Sequence, residues 1–184
     1  ATYSITNPQI SYGADVITRI KACSLGHLEH LHHVIIQAVN DLIMNLMPQG
    51  IPKYLIVSGN PVMLHILMKE DPTSIGKYPY TAKFLEKKEF SGDLLNIKTN
   101  KVILLPSISS FIGADIVAGC LYAQLLHEPK NGLFIDLGTN GEIILKVEDQ
   151  LYGTSTAAGP AFEGAMIEKG LGGVKGAISK VSYL

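Results

Sequence analysis

The chain has 184 residues, with 15 Lys+Arg against 16 Asp+Glu and a formal net charge of -1. At 47% hydrophobic and 17% charged residues it carries enough apolar material for a buried core, which excludes general disorder. The near-neutral balance gives no support for nucleic acid or an anionic membrane as the main partner, and two cysteines, Cys23 and Cys120, are too few for a disulfide scaffold or an iron–sulfur cluster.

No apolar run approaches the roughly 20 residues of a membrane span, and the N-terminus lacks the charged-then-apolar pattern of a signal peptide. A reduced, cytoplasmic protein is expected. Ala1 leads directly into ATYSIT, whose alternation predicts a strand. After Ser11, YGADVITRIKACS reads as a short helix. A longer helix follows across HLEHLHHVIIQAVNDLIMNLM, with Leu28, Leu31, Ile35, Val39, Leu42, Ile43 and Leu46 at helical spacing and Pro48 and Gly50 at its end. KYLIVSG predicts a buried, parallel-type strand running into GNPVMLHILMKE. There Asn60 suits the cap, Pro61 the first turn, and Val62, Leu64, Ile66 and Leu67 the packed face.

From Asp71 to Asn100 the pattern is irregular, punctuated by Pro72, Gly76, Pro79 and Gly92 and holding the mixed-charge stretch LEKKE. It is expected to be inserted or surface-lying. A cleaner α/β rhythm follows: KVILLP a strand, GADIVAGCLYAQLLHE a helix, NGLFIDLG a strand, GEIILKV and QLYGTST a hairpin, PAFEGAMIEKG a helix, and GAISKVSYL further strand. Strands alternating with helices predict partly parallel pairing, and the consecutive strands predict a mixed sheet. Ten of the 18 glycines lie from Gly132 onward, so tight turns concentrate there. With no initiator Met and an end inside periodic structure, the chain is expected to be a piece of a longer polypeptide.

The strongest chemical signal is LFIDLGTNGEIIL, residues 133 to 145. A strand delivers Asp136, then Gly138, Thr139, Asn140 and Gly141 form a turn, and a second strand leaves after Glu142. Glycines let backbone N–H groups approach phosphate oxygens, and an aspartate at a strand end suits magnesium held through its waters. An ordinary hairpin with an Asn-Gly turn fits the same spacing.

SYGADVITRI and FIGADIVAG each put Gly-Ala-Asp at a helix start, at Asp15 and Asp115. Either acid is accounted for by the helix dipole or by a role as water-positioning base or magnesium partner. Asp115 is favoured for the latter, because a βαβ arrangement brings it to Asp136. STAAGPAFEGAMIEKG offers Ala158, Gly159 and Pro160 as a loop into a helix N-terminus, with Ser155, Thr156 and Glu163 nearby. Arg19, the one arginine in the sequence, suits a structural salt bridge better than a phosphate clamp. His27, His30, His32 and His33 read as a solvated helix face rather than a metal site. Cys23 and Cys120 read as packing groups.

NPQISYGADVITRI, SGNPVMLHIL, LLPSISSFIGADIVAG, FIDLGTNGEI and STAAGPAFEGAMIEKG occur in this order, and together they resemble the ATP-dependent reductive activators of corrinoid proteins. That family is grouped with acetate and sugar kinases, actin and heat-shock chaperones. The resemblance implies an α/β fold with a ribonuclease-H-like mixed sheet flanked by helices, and ATP with magnesium in a cleft. It also implies a homodimer, a corrinoid protein as partner, and electrons from a ferredoxin-type iron–sulfur domain outside this chain. It makes residues 1–184 a partial actin-like ATPase domain, helical and inserted over 1–100, α/β with the second phosphate loop over 101–184.

Carried across, Asp136, Gly138, Thr139, Asn140, Gly141 and Glu142 form that second loop, with Asp136 on the metal. Asp115 and Glu142 are the catalytic candidates, and Ala158, Gly159 and Pro160 flank the nucleotide. The sequence departs from the family in lacking an upstream Asp-x-Gly-Thr-Thr loop, the glycine-rich adenosine segment and a cysteine cluster. It also has Gly59-Asn60-Pro61-Val62 where Gly-Asn-Thr-Thr is more frequent. The expected function is restoration of corrinoid cobalt from cob(II)alamin to cob(I)alamin, and little ATPase activity is expected of this segment alone. A small-metabolite kinase of the same fold and a non-enzymatic docking or dimerisation module are the alternatives.

Overall fold

A computed structural model describes residues 1–13, 15–127, 130–138 and 140–156. Among the described residues four α-helices, α1 (Val16–Ala22), α2 (Leu28–Leu46), α3 (Pro61–Leu67) and α4 (Ala114–Tyr122), accompany six strands. The strands are β1 (Tyr54–Val57), β2 (Lys88–Ser91), β3 (Lys101–Leu104), β4 (Asn131–Leu137), β5 (Gly141–Val147) and β6 (Gln150–Thr156). They form two three-stranded sheets, ordered β1-β3-β2 and β4-β5-β6. The first is mixed, with β1 parallel and β2 antiparallel to β3. The second is an antiparallel meander.

Side-chain caps start two of these four helices. Asp15 caps α1, accepting the Thr18 amide at 2.8 Å, and Asn60 caps α3, accepting the Met63 amide at 3.0 Å with Pro61 in the first turn. The expected helix over residues 12–24 divides in two. Pro8–Tyr12 forms a separate 3-10 turn, and α1 passes through a π-type turn at Cys23–His27 into α2. Gly26 permits that kink, its φ of 92° being a conformation side chains disfavour. Two helices end in Schellman motifs without glycine. Lys69 (φ 59°) follows α3, with Glu70 N–H donating to the His65 carbonyl, and Gln124 (φ 55°) follows α4, with Leu125 N–H donating to that of Cys120. The second motif stops α4 at Tyr122, well short of the Glu128 expected from periodicity.

The first sheet covers one face with α2 and α3. Val102 and Leu104 of β3, Leu55 and Val57 of β1, and Phe90 of β2 pack with Ile36, Ile43 and Leu67. The opposite face leaves Tyr54 and Ile56 exposed, so β1 is parallel as expected but not buried on both sides. The segment 71–100 is not merely surface-lying. It supplies β2 and buries Ile75, Phe84, Leu95 and Ile97, because long-range pairing with β3 overrides its irregular local pattern. Residues 1–7 form no strand, because alternation becomes a strand only when it is paired, and this segment pairs with none of the described strands.

α4 lies on the second sheet. Ile112, Ile116, Cys120 and Leu125 pack against Ile144 and the Phe134 ring. Gly119 allows this approach, as a Cβ there would stand 2.5 Å from the ring. Both cysteines are buried, as expected of packing groups, and burial pushes the Cys23 thiol up to about 11. No helix among the described residues is long and apolar enough to cross a membrane. The helix and strand expected from Pro160 onward lie outside the described residues.

Candidate functional site

The turn end of the second sheet gathers the acids singled out in the sequence. In the β4–β5 hairpin Asp136 pairs with Glu142, and in the β5–β6 hairpin Glu142 pairs with Ser155, so all three share the face that carries α4. Ser155 Oγ donates to Glu142 Oε1 at 3.3 Å. Asp115, on the first turn of α4, acts on the same carboxyl, because α4 packs on Ile144 and Phe134 of this face. The expected βαβ unit is not how they meet. β3 and β4, on either side of α4, belong to different sheets.

The electrostatics reflect this proximity. The Glu142 carboxyl is raised above its ordinary value, first by burial and then by the charges of Asp115 and Asp136, while Ser155 pulls the other way. Asp115 and Asp136 are exposed, with carboxylates open to a ligand. Asp115 accepts the Ile116 amide at 3.1 Å and leaves the cap position to Gly113. The two Gly-Ala-Asp segments therefore differ: Asp15 is spent on capping its helix, and Asp115 is not.

Between Leu137 and Gly141 the chain turns through Gly138 and Asn140, and the Gly138 N–H donates to the Asn140 carbonyl at 2.9 Å. A phosphate at this turn competes with that carbonyl for the amide. A Cβ at Gly138 would come no closer than 3.7 Å to the Asn140 oxygen, so packing among the described residues does not demand the glycine. Thr139, Ala158, Gly159, Pro160 and Glu163 lie outside the described residues. Among the described residues no group of three or more His, Cys, Asp or Glu side chains is arranged to hold a metal by itself. Crowded open carboxylates without a closed cage do suit magnesium, which takes one or two protein carboxylates and completes its shell with water and substrate phosphates. The two cysteines, buried in separate clusters, do not fit an iron–sulfur centre.

Elsewhere the expectations divide. Arg19 makes no salt bridge among the described residues. It is 8% exposed, donates from Nη1 to Met63 Sδ at 2.9 Å, and leaves Nε unpartnered. Burial lowers its pKa, with Asp15 pulling the other way. His30 and His33 are exposed as expected, but His32 is half-buried, and its Nδ1–H donates to the Leu67 carbonyl at 3.0 Å at the end of α3. Sequence reasoning passed over Gly113, whose backbone meets the Gly59–Asn60 turn, and His65, which is fully buried. The Gly113 contact has no local signature, because its partner lies over fifty residues away.

Residues 1–128 match the family model described as the RACo middle region, and residues 130–184 match the C-terminal domain of RACo, the ASKHA domain. The corrinoid activation enzyme RamQ of Eubacterium limosum is 34% identical over 97% of this chain and 32% of its own length. The [Co(II) methylated amine-specific corrinoid protein] reductase of Methanosarcina barkeri is 29% identical over 82% of this chain and 30% of its own length. A solved structure titled reductive activator for corrinoid,iron-sulfur protein superposes with a TM-score of 0.76 at 34% identity, covering 90% of this chain and 28% of that one. The chain thus spans about a third of the curated relatives it matches. The fold is that of the ASKHA, actin-like ATPase group. On these matches the chain belongs to the RACo family, the reductive activators of corrinoid proteins.

Proposed function

We propose that the protein containing this chain is an ATP-dependent activator that supports one-electron reduction of a partner corrinoid from cob(II)alamin to cob(I)alamin. The observation that carries this reading is the meeting of Asp115, Asp136 and Glu142 at a glycine turn, within a chain of the RACo family. In this reading the turn at Gly138, Thr139, Asn140 and Gly141 binds nucleotide phosphates, and Ala158, Gly159 and Pro160 flank the nucleotide. Asp136 holds magnesium through water, and the ion neutralises charge on the phosphates. Asp115 orients the attacking water. Glu142, whose carboxyl burial raises above its ordinary value, is the proton-exchanging candidate of the three.

Reducing cob(II)alamin is uphill for ordinary ferredoxin-type donors. A partner that binds the reducible state of the corrinoid protein more tightly shifts that equilibrium by its differential affinity, and nucleotide turnover then releases the complex. Electrons enter from a ferredoxin-type iron–sulfur domain outside this chain, and the active protein is a homodimer. The first 100 residues serve as the helical, inserted part and 101–184 as the part carrying the second phosphate loop.

ATP hydrolysis by the complete protein, with and without a cob(II)alamin-loaded corrinoid protein, tests the proposal. Stimulated hydrolysis and faster cob(I)alamin formation with ATP are expected. Asp136→Ala abolishes both, with an unchanged circular dichroism spectrum, because its exposed carboxylate makes no hydrogen bond or ion pair among the described residues. Absence of stimulation together with ATP-independent cob(I)alamin formation refutes it.

A further inference from the structure

The Asp115 carboxylate accepts only the neighbouring Ile116 amide among the described residues, so its place is set by where α4 begins. That beginning is gripped by the other sheet. The Ala114 N–H donates to the Gly59 carbonyl at 3.0 Å, and Ala114 itself is fully buried in a cluster with Leu64 and Phe84. Gly113 lies so close to the turn after β1 that a Cβ would stand 2.7 Å from Asn60 Cα and 2.9 Å from the Gly59 oxygen, and would also overlap the Asp115 carboxylate.

The turn is tied by its own hydrogen bonds. Asn60 Oδ1 accepts from the Met63 amide, and the Asn60 carbonyl accepts the Leu64 N–H at 3.1 Å. Behind it His65 bonds the Pro61 carbonyl and the Lys83 amide and stacks on Phe84, with ring centroids 4.3 Å apart. Everything this turn gives to α4 is backbone: a carbonyl and a Cα surface. Pro61 and Val62, which follow Asn60, offer no hydroxyl to a phosphate, and the contact needs none.

We propose that the Gly59–Asn60 turn, acting through Gly113 and Ala114, is the positioning element for Asp115, so that the first sheet sets where this carboxylate stands against the phosphate turn of the second. The inference rests on the nucleotide-site reading of Asp115 and goes beyond it by assigning the residues that hold the acid. Gly59, Asn60 and Gly113 are positioning residues. Displacing a reacting group by about 1 Å costs on the order of 100-fold in rate, so a single inserted methyl is enough to register.

The experiment is steady-state ATP hydrolysis by the complete protein with its corrinoid partner. Gly113→Ala is expected to lower kcat about 100-fold while KM for ATP stays within about threefold, since the methyl disturbs the acid and not the bound nucleotide. In an Asp115→Asn background the same change is expected to add less than about threefold, because the group it acts through is already gone. A merely structural role gives losses that multiply. Ala114→Pro is a second route should Gly113→Ala fail to fold. It removes the N–H that meets Gly59, at the first helical position where proline is accepted, and the extended backbone of Gly113 (φ -84°, ψ -179°) suits the residue before a proline. The same pattern of kcat loss and non-additivity is expected from it. Either variant, folded, with kcat near wild type or with losses that multiply on Asp115→Asn overturns the positioning role alone. Asp115→Asn turning over at the wild-type rate overturns the reading beneath it, and this inference with it.

Discussion

His65 should make the stability of this protein depend on pH with a sign that the structure dictates. Its ring is fully buried. Nδ1 is 2.7 Å from the Pro61 carbonyl, which can only accept, so the proton sits on Nδ1. Nε2 is 3.0 Å from the Lys83 N–H and is therefore the acceptor. Adding a proton to Nε2 sets N–H against N–H. Burial is the main cause of a pKa below the ordinary 6.5. Lys83 and Lys88 push the same way, and the Pro61 carbonyl and Glu70 oppose them. With the folded value depressed, the unfolded chain binds the extra proton first. Stability is complete above about pH 6.5 and falls as pH drops toward the folded value, by at most about 1.4 kcal/mol per pH unit.

His65→Gln keeps an acceptor for Lys83 and does not titrate. It loses the Pro61 bond and the near-parallel stacking on Phe84, at 4.3 Å and 14°, a cost of about 1–3 kcal/mol near pH 8. Urea denaturation at about pH 8, 6.5 and 5.5 should therefore show the gap between the two proteins narrowing as pH falls. The other histidines are common to both, so the difference isolates His65. Parallel pH profiles, or a gap that widens on acidification, refute the assignment.

Three further outcomes are expected. Asp15→Ala removes the side chain that accepts the Thr18 amide and should cost about 1 kcal/mol in urea melts, with no change in nucleotide binding. Ile144→Ala, at a side chain 2% exposed beneath α4, should cost about 2–4 kcal/mol and loosen the α4 amides in hydrogen exchange. Glu142 behaves oppositely to a carboxylate held by a cation: its raised pKa means that its stabilising contribution is present below the ordinary 4.5 and is lost as pH rises through the folded value. Glu142→Gln should accordingly be neutral or stabilising in thermal melts at pH 7 while lowering ATP turnover; clear destabilisation there contradicts the crowding of acids.

Much of the secondary structure was legible because its causes are local. Asn60 and Pro61 announce α3 within a few residues, Asp136 to Glu142 spell a hairpin turn, and the apolar spacing of α2 needs no partner to be seen. Asp136 and Glu142 at the glycine turn were legible for the same reason: strand, turn and strand are contiguous. What escaped was what the chain does over long distances. β2 is unremarkable as sequence and becomes a strand because β3 pairs with it, whereas 1–7 alternates and pairs with none of the described strands.

Arg19 looked like an ion-pair former, and packing placed it against a thioether instead. α4 kept its amphipathic pattern beyond Tyr122, yet the Schellman turn at Gln124 ended it. The sequence by itself thus determined the helix starts, the hairpins, the family and the candidate acids, since caps, periodicity and turn chemistry act within one or two turns of chain. Only the tertiary structure decided that Asp115 reaches Glu142 across the face of a meander and that a backbone turn from the other sheet holds it there. Those relations depend on close approach between segments far apart in sequence, at glycines whose neighbours no local pattern reveals.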